Sequence, residues 1–481
     1  MNFRALSRSL VQRVAHPGPF ELTEALFLRL LGLVYLIAFG SLWPQILGLI
    51  GSAGIVPASQ YLSSVHVQLG MDAIRYVPTI FLAGVSDGAL VGACVAGCIA
   101  SLGLLIGVWP RVSAGLCFVL YLSITTVGEP FTSFQWDALL LESGFLALFA
   151  GAPWILWAYR FLLFRLMLES GAVKLLSHDA NWRNFHALRF HFVTQPIPNP
   201  IAYYVYRSPT WLLDFMTGAT LGIELIAPFL LWGPKPLRYT GAGLLILLQV
   251  VIALTGNYAF FNLLSLALCL WAFDDSTFTP LARWLRRRAP RTALPMLRRA
   301  ANAVLAAVIL LGAVQLVGMF AERTTSVFSP VLNAIAPFEI VNSYGLFAVM
   351  TTTRPEIVIE GSDDAINWKQ YSFRYKPGEL HRDLPFVAPY QPRLDWQMWF
   401  AALSDYQENR WVGALIYRLL TGDATVLHLM DAPPFQKPPK YMRALLYDYQ
   451  FTTPAERARS GAVWQRRLLG RWLNPVSLGS Q

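Results

Sequence analysis

Several ionisable residues lie within long apolar runs of this 481-residue chain, where a charged group needs either a partner or a chemical function, and six of them are candidates for a polar centre. On insertion scales, a charge at the centre of an apolar membrane helix costs about 2.5–3.5 kcal/mol. A buried ion-pair network is one interpretation of these residues, and a catalytic or substrate-gating centre is the other. Arg165 and Glu169 can pair on one helix face because they stand four positions apart. The six residues are Asp137, Glu142, Arg165, Glu169, Lys174 and Glu224.

Lys174, Glu169 and Glu142 are the candidates for a catalytic centre. A lysine near an apolar pocket loses its proton more readily, because desolvation disfavours the charged form, and it can then act as a base. The alternative for Lys174 is a side chain that extends to the membrane interface without chemical function. Asp137 and Glu142 stand about 140° apart around a helix, so they do not form a ready pair of catalytic carboxylates.

Histidines and cysteines, the usual metal ligands, do not stand at ligand spacings. His178, His186 and His191 fall within fourteen residues, but no two share a helical face. The four cysteines, Cys94, Cys98, Cys117 and Cys269, lie in apolar runs and are predicted to pack between helices. We therefore expect neither a metal ion nor a cofactor.

The composition is that of an integral membrane protein. Hydrophobic residues make up 55% of the chain and charged residues only 14%, whereas soluble domains carry about 25% charged residues. The net charge of +10 does not indicate nucleic-acid binding, because seven arginines are concentrated between Arg283 and Arg299, between two apolar runs. A basic loop flanked by spans is typical of the cytoplasmic side of a membrane.

Residues 1–320 are predicted to form a polytopic α-helical membrane bundle of about nine spans, with an external loop at 177–210. With the N-terminus in the cytoplasm, Arg111, Lys235 and Arg238 fall on the inner side, and the region after the last span falls outside. The spans are Leu22–Trp43, Ala89–Val108, Val112–Val127, Phe134–Ala150, Trp154–Leu176, Trp211–Trp232, Tyr239–Thr255, Tyr258–Phe273 and Ala300–Phe320.

Residues 321–481 are predicted to form a C-terminal extracytoplasmic α+β domain with a β-sandwich-like fold. Period-two alternation predicts strands, and helical periodicity predicts two helices. The tail Trp464–Trp472 is predicted to be a basic amphipathic helix on anionic lipid or else a solvated terminus. The strands are Phe338–Val341, Leu346–Thr351, Glu356–Glu360, Lys369–Tyr375 and Tyr441–Phe451, and the helices are Trp396–Leu403 and Trp411–Leu420.

An aromatic segment in this polar region, PYQPRLDWQMWFAAL from Pro389 to Leu403, must fold against another surface. Together with YGLFAVMTTTRPEIVIEGSDD (344–364) and SFQWDALLLESGFL (133–146), it resembles the lipase maturation factor family. The resemblance implies a polytopic membrane protein, located in the endoplasmic reticulum in animals, that dimeric lipases need to reach an active, secreted fold. Its C-terminal domain would face the lumen.

A remoter resemblance links SGAVKL, followed by Asn181 and Trp182, to the membrane part of vitamin K-dependent γ-carboxylases. It implies that Lys174 acts as a base. A shared fold, however, need not preserve chemistry.

Two hypotheses follow. In the first, the protein is a membrane maturation factor for exported clients such as lipases, and it contacts them through Arg393, Asp395, Trp396 and Trp399. In the second, it is a membrane enzyme that modifies an exported peptide or a lipid-soluble substrate. Its partners would be the client and membrane lipid, without nucleic acid. The absence of an N-x-S/T sequon favours a bacterial inner membrane, with the endoplasmic reticulum as the eukaryotic counterpart.

Overall fold

Apolar helices build the first two thirds of the chain in the computed structural model, which describes residues 20–281, 295–321 and 326–479. Within these ranges the main helices of the bundle, α1 to α9, are Glu21–Leu42, Asp87–Ile106, Pro110–Val127, Gln135–Ala147, Ile155–Leu176, Thr210–Leu230, Lys235–Thr255, Phe261–Cys269 and Pro295–Phe320. Five of the seven arginines predicted to lie in a cytoplasmic loop fall outside the described residues, and Arg298 and Arg299 belong to α9.

Six described helices are long and apolar enough to cross a membrane: α1, α2, α3, α6, α7 and residues 296–320 of α9. The prediction of an integral membrane helical bundle is therefore confirmed, but the count of nine spans is not. With 13 and 9 residues, α4 and α8 are about 20 Å and 14 Å long, shorter than the hydrocarbon layer of about 30 Å. α5 has 22 residues but carries Arg160, Arg165, Glu169 and Lys174.

Local sequence signals set several helix boundaries. α2 begins after Ser86, whose hydroxyl accepts a hydrogen bond from the backbone N–H of Ala89 at 3.2 Å, the usual role of a serine N-cap. α3 begins at Pro110, where the missing N–H costs nothing. Shorter helices fill the connections: Ile46–Ile50, Ala58–Leu69, Ala73–Tyr76, Ala180–Arg183, Leu188–Thr194 and Pro200–Val205.

One antiparallel four-stranded sheet and two main helices form the C-terminal region within the described residues. Its strands are β1 Pro355–Ser362, β2 Lys369–Tyr371, β3 Tyr441–Phe451 and β4 Trp464–Ser477, in the order β2-β1-β3-β4. The main helices are α10 Arg393–Ala401 and α11 Trp411–Thr421, and shorter ones span Ser329–Ile335, Ala424–Leu427 and Pro454–Ser460. The predicted strand Tyr441–Phe451 is confirmed, and so are both helices with small shifts at their ends. The sandwich is not confirmed.

Three predictions of local structure in this region are wrong. The tail Trp464–Trp472 belongs to β4, because its backbone pairs along β3 from Trp464↔Phe451 to Ser477↔Tyr441. The segments Phe338–Val341 and Leu346–Thr351 contain no strand; a 3₁₀ turn occupies Ala336–Phe338. Strand pairing depends on a partner far away in the sequence, so local periodicity alone did not reveal it.

The apolar core is continuous from the helices into the sheet. Tyr35 of α1, Ile357 of β1 and Leu394 of α10 belong to one buried cluster. The C-terminal region therefore packs directly on the bundle, and four of the charged residues singled out from the sequence, Asp137, Glu142, Arg165 and Glu169, contact residues beyond α9.

Candidate functional site at the junction of the helices and the sheet

A buried ion pair between Arg393 and Asp137 connects the C-terminal region to the bundle. The guanidinium Nη1 and Nη2 atoms donate to Asp137 Oδ2 and Oδ1 at 3.0 and 2.9 Å. They also donate to the Phe131 carbonyl at 2.8 Å and to the Tyr121 hydroxyl at 3.0 Å. The Tyr121 hydroxyl in turn donates to Asp137. Both charged side chains are almost completely buried, and a bidentate, hydrogen-bonded pair is the geometry that offsets such burial best.

The tryptophans predicted to bind a client pack against the bundle instead. Trp396 meets Trp136 edge-to-face, with ring centroids 4.7 Å apart, and Trp399 donates its indole N–H to the Thr194 carbonyl at 2.9 Å. Both are buried, as are Arg393 and Asp395. In this structure none of the four offers a surface to a client, so direct client contact through them stays a prediction. The expectation that their segment folds against another surface is met by the bundle.

Asp395 belongs to a second charged cluster beneath the sheet. Its carboxylate accepts a hydrogen bond from the backbone N–H of Lys376 at 2.8 Å, and burial raises the pKa of its carboxyl above the usual value. The Lys376 ammonium lies 2.7 Å from Glu356, which also pairs with Arg354 at 2.8 Å. Arg354 then donates to the Val193 carbonyl at 2.8 Å. This cluster therefore fixes the sheet to the loop between α5 and α6.

A third cluster connects Asn342 and Tyr344, in the segment between α9 and β1, to the middle of the bundle. Arg165 pairs with Glu142, and Glu142 also accepts from the Tyr344 hydroxyl at 2.8 Å and from the Asn342 N–H at 3.0 Å. Glu169 accepts from the Tyr344 backbone N–H at 2.7 Å. The expected ion pair between Arg165 and Glu169 is thus replaced by one to Glu142. Glu169 instead accepts the hydrogen bond from the Tyr344 backbone N–H.

Sequence reasoning missed several uncharged residues at this junction. The Asn257 amide donates to the Pro385 carbonyl at 2.9 Å and accepts from the Val387 N–H at 2.8 Å. Gln45 accepts from the Arg393 N–H at 2.9 Å. In the sequence, these residues appear only as amide side chains at the edges of apolar runs. This pattern is too common to predict a particular contact.

Lys174 and Glu224 form a separate pair in the wall of an apolar cavity. The ammonium Nζ lies 2.8 Å from both carboxylate oxygens and 3.0 Å from the Ser170 carbonyl, so all three of its donors have acceptors. The cavity, of about 250 Å³, lies between α5, α6, α7 and the helix Leu188–Thr194. Apart from this pair and a few neutral polar groups, its lining is aliphatic and aromatic.

The histidines of the 177–210 loop do not converge on a common point. His191 Nε2 lies 3.0 Å from the Tyr258 hydroxyl in the cavity wall, whereas His178 Nδ1 lies 2.6 Å from Arg183 Nη2. Burial and the nearby Lys174 ammonium lower the pKa of His191 to about 4, so this ring is neutral at physiological pH. Among residues 20–281, 295–321 and 326–479, no group of three or more histidine, cysteine or acidic side chains could hold a metal ion.

The predicted network therefore divides into separate sets. Asp137 pairs with Arg393, Glu142 and Glu169 share the Tyr344 contacts, and Lys174 pairs with Glu224. The first two sets join distant parts of the chain through charge-assisted hydrogen bonds. The third lies in the wall of a sizeable, mainly apolar cavity.

Two family models match the chain in succession. "Lipase maturation factor transmembrane domain" matches residues 22–280, and "Lipase maturation factor C-terminal domain" matches residues 340–474. Lipase maturation factor 1 of Bos taurus is 34% identical, over 96% of this chain and 90% of that protein. Lipase maturation factor 1 of Homo sapiens is 33% identical, over 96% of this chain and 89% of that protein. Lipase maturation factor 2 of Gallus gallus is 33% identical, over 92% of this chain and 79% of that protein. No solved structure gives a significant match.

Proposed function

The chain belongs to the lipase maturation factor family, and on that premise we propose that it is an integral membrane maturation factor for exported clients such as lipases. The observation that carries this proposal is the 34% identity to a lipase maturation factor over 96% of the chain. A match of that extent includes both the bundle and the C-terminal region. The proposed role is therefore assigned to the two parts acting together.

The enzyme alternative gains no support from the geometry. A base needs an available lone pair near its substrate, but the Lys174 ammonium is held by Glu224 and by the Ser170 carbonyl. Glu142 and Glu169 are occupied by hydrogen bonds to the segment after α9. These three candidates therefore have structural partners in place of a reactant.

For the topology, we propose nine membrane crossings by the main helices of the described bundle, in which the short helices α4 and α8 cross together with the residues that flank them. The connections after α1, α3, α5 and α7 each contact the C-terminal region, through Gln45, Phe131, Val193 and Asn257 respectively. Consecutive helices would therefore run in alternate directions between the same two ends.

Contacts at the opposite end support the same alternation. The start of α1 contacts Asp275, which follows α8, and Arg111 at the start of α3 donates to the Ala150 carbonyl after α4. Arg238 at the start of α7 donates to the Ala272 carbonyl. The basic residues at this end match the cytoplasmic side of a membrane, which would place the C-terminal region on the exported side.

A pair of cysteine variants tests this orientation. In sealed vesicles of known orientation, a membrane-impermeant maleimide should label Asp363→Cys, in the β1–β2 turn, only from the exported face. It should label Thr279→Cys, at the opposite end of the bundle, only from the cytoplasmic face. The wild-type protein controls for its four native cysteines. Labelling of both positions from one face would exclude an odd number of crossings between them, and therefore a single crossing by α9.

For the client surface, we propose the outer edge of β4. Within the described residues β4 has a single neighbouring strand, β3, so no strand pairs with its other edge. An extended client segment can add to such an edge as a further strand. β4 has 14 residues, and Leu468 and Leu469 are half-exposed.

The charge of β4 indicates what kind of segment would fit. Arg467 is well exposed, with its nearest carboxylate 3.8 Å away, and Arg471 is exposed as well. Positive side chains discourage edge-to-edge pairing of identical chains, and they attract an acidic partner. The proposed occupant is therefore an unfolded client segment that combines apolar and acidic residues.

The experiment co-expresses a secreted lipase with the wild-type chain, with no chain, or with the double variant Leu468→Glu, Leu469→Glu. Secreted lipase activity is divided by total lipase protein. We expect the double variant to lower this ratio to the level without the chain, because two carboxylates at the edge repel an acidic segment. Its unfolding temperature should stay that of the wild type, since both leucines are exposed.

Ile366→Glu is the matched control, because Ile366 is exposed in the turn between β1 and β2, away from β4. It should leave the ratio unchanged. A wild-type ratio in the β4 double variant would exclude this edge as the client surface while leaving the family role intact. Equal ratios with and without the wild-type chain would contradict the proposed function for that lipase.

A further inference from the structure

Part of the lining of the cavity beside Lys174 belongs to the outward faces of two membrane helices. Its lining includes Phe215 of α6 and Leu247 of α7, whose exposed fractions are 67% and 55%. Both helices qualify as membrane spans and present most of their surface outwards. A gap between two lipid-facing helices exchanges contents with the bilayer rather than with water.

The packing of α6 and α7 explains where the gap lies. At one end the helices touch closely: a Cβ on Gly241 would lie 2.8 Å from the Ala227 carbonyl oxygen, so any larger residue would separate them. The residues that line the cavity, such as Phe215, Met216 and Val251, lie in the other halves of the helices. The loop helix Leu188–Thr194 adds Leu188, His191 and Phe192 to the wall of the cavity.

We propose that this cavity binds one acyl chain of an uncharged, hydroxyl-bearing acylglycerol taken from the bilayer. The inference does not rest on the client-binding proposal, because the ligand is a lipid and the site is in the bundle. It assigns to the Lys174–Glu224 pair the role of a neutral, polar end of an otherwise apolar binding site.

The electrostatics of the polar end favour an uncharged head group. Lys174 and Glu224 neutralise one another, and every ammonium proton already has an acceptor. A ligand carboxylate would compete with Glu224 for those protons, and a ligand ammonium would be repelled by Lys174. Each carboxylate oxygen of Glu224 still has a free lone pair, so a ligand hydroxyl can donate to it.

A second polar group lies in the same part of the wall. The Tyr258 hydroxyl donates to Gln195 Oε1 at 3.1 Å, which leaves the Nε2 position of His191 to carry a proton and donate to the tyrosine oxygen. In this arrangement His191 Nδ1 is an acceptor. Because the His191 ring is neutral, the polar wall consists mainly of acceptors, and glycerol hydroxyls supply the matching donors.

The size of the cavity limits the ligand to one chain. Its volume of about 250 Å³ lies above the roughly 150 Å³ of an engineered cavity that holds benzene. It lies below the roughly 300–1,000 Å³ of sites that enclose drug-sized ligands. The cavity can therefore enclose no more than one chain or part of one, while a second chain of the same lipid would stay in the bilayer at the opening.

The test uses the purified full-length chain in lipid nanodiscs that contain a trace of monoacylglycerol with a diazirine in its chain. After illumination, labelled peptides are mapped by mass spectrometry. We expect label on residues that line the cavity, including Met167 and Phe347, which face away from bulk lipid. The same chain on a free carboxylate or on phosphocholine should label these inner residues about tenfold less, a difference of roughly 1.4 kcal/mol.

Two variants fill the cavity from different helices: Ala219→Trp on α6 and Val251→Trp on α7. Each should lower inner-residue labelling by about tenfold, since a buried indole occupies the space of the chain. Ile226→Trp is the matched control, because Ile226 is 63% exposed on α6 and does not line the cavity. It should label like the wild type, and unfolding temperatures identify any variant that fails to fold.

Three results would overturn the proposal. One is label confined to outward-facing residues, which would indicate surrounding bilayer lipid only. Another is unchanged inner labelling in both filled variants that fold. The third is inner labelling by the carboxylate probe that equals or exceeds that of the acylglycerol, since it would show that the pair does not select an uncharged head.

Discussion

Replacing Arg393 by methionine is expected to destabilise the whole protein by about 3–5 kcal/mol, because Asp137 would remain buried without its counter-ion. The substitution removes four hydrogen bonds: two to Asp137, one to the Phe131 carbonyl and one to Tyr121. Methionine has about the length of the aliphatic part of the arginine side chain, so it preserves most of its packing. The expected loss is therefore electrostatic rather than one of packing volume.

A double variant separates the ion pair from the other contacts. Arg393→Met combined with Asp137→Leu removes both charges, and buried pairs replaced in this way often lose little stability. The Phe131 carbonyl and the Tyr121 hydroxyl still lose a partner, at about 1–3 kcal/mol. The double variant should consequently cost less than the sum of the two single variants, by at least about 3 kcal/mol.

The measurement is denaturant unfolding in detergent micelles, followed by intrinsic tryptophan fluorescence and extrapolated linearly to zero denaturant. Arg410→Met is the matched control, since Arg410 is an exposed arginine at the start of α11, and it should change the free energy of unfolding by under about 0.5 kcal/mol. The reasoning would be refuted if Arg393→Met cost no more than this control, or if the two single effects simply added.

Three further predictions concern the same junction. Gly312→Leu should lower the free energy of unfolding by about 1–3 kcal/mol, because a Cβ at this position would lie 2.9 Å from the Arg165 guanidinium. Gly92→Leu is the control and should not lower the unfolding temperature, since a Cβ on Gly92 meets nothing within 4 Å. Equal effects of the two substitutions would contradict this prediction. Burial raises the pKa of Glu339 from 4.5 to about 7, so the contribution of this side chain to the free energy of unfolding is present below about pH 4.5 and is lost as the pH rises through about 7. Between these two pH values, the unfolding temperature of the wild type should fall relative to that of Glu339→Gln. Parallel curves for the two proteins would contradict this prediction. Asn257→Leu should cost about 1–3 kcal/mol and speed proteolysis of the segment it holds, whereas wild-type cleavage rates would show that its hydrogen bonds matter little.

The sequence predicted those elements whose signals are local. β3 was predicted as Tyr441–Phe451, because it alternates and follows a proline-rich stretch, and α11 ends next to Gly422 as expected. The first part of β4, Trp464–Trp472, was predicted as an amphipathic helix or a solvated terminus, because its leucines, tryptophans and arginines also suit a helical face. Pairing with β3 decides its conformation, and a register across two distant segments leaves no local trace.

Residues of the candidate site could be named from the sequence, but which of them pair with one another could not be predicted from it. The cost of a charge in an apolar run indicated that Asp137, Glu142 and Lys174 need partners. Only the fold could reveal that Arg393 belongs to Asp137, or that Glu142 rather than Glu169 pairs with Arg165. The burial of Trp396 likewise required knowledge of the facing surface, since an aromatic segment can serve a core or an interface equally well.

The pairing of Arg393 with Asp137 has a consequence for the order of biosynthesis. The two residues are separated by 256 positions, and ribosomes add about 5–20 residues per second. For about 10–50 s, the nascent bundle therefore contains a carboxylate whose counter-ion has not yet been synthesised. During that interval Asp137 lacks the guanidinium that it binds in the finished protein, so this contact of α4 forms only when the C-terminal region arrives. A ribosome that stops before codon 393 leaves a bundle without this counter-ion, and such a chain is a ready substrate for membrane-protein quality control.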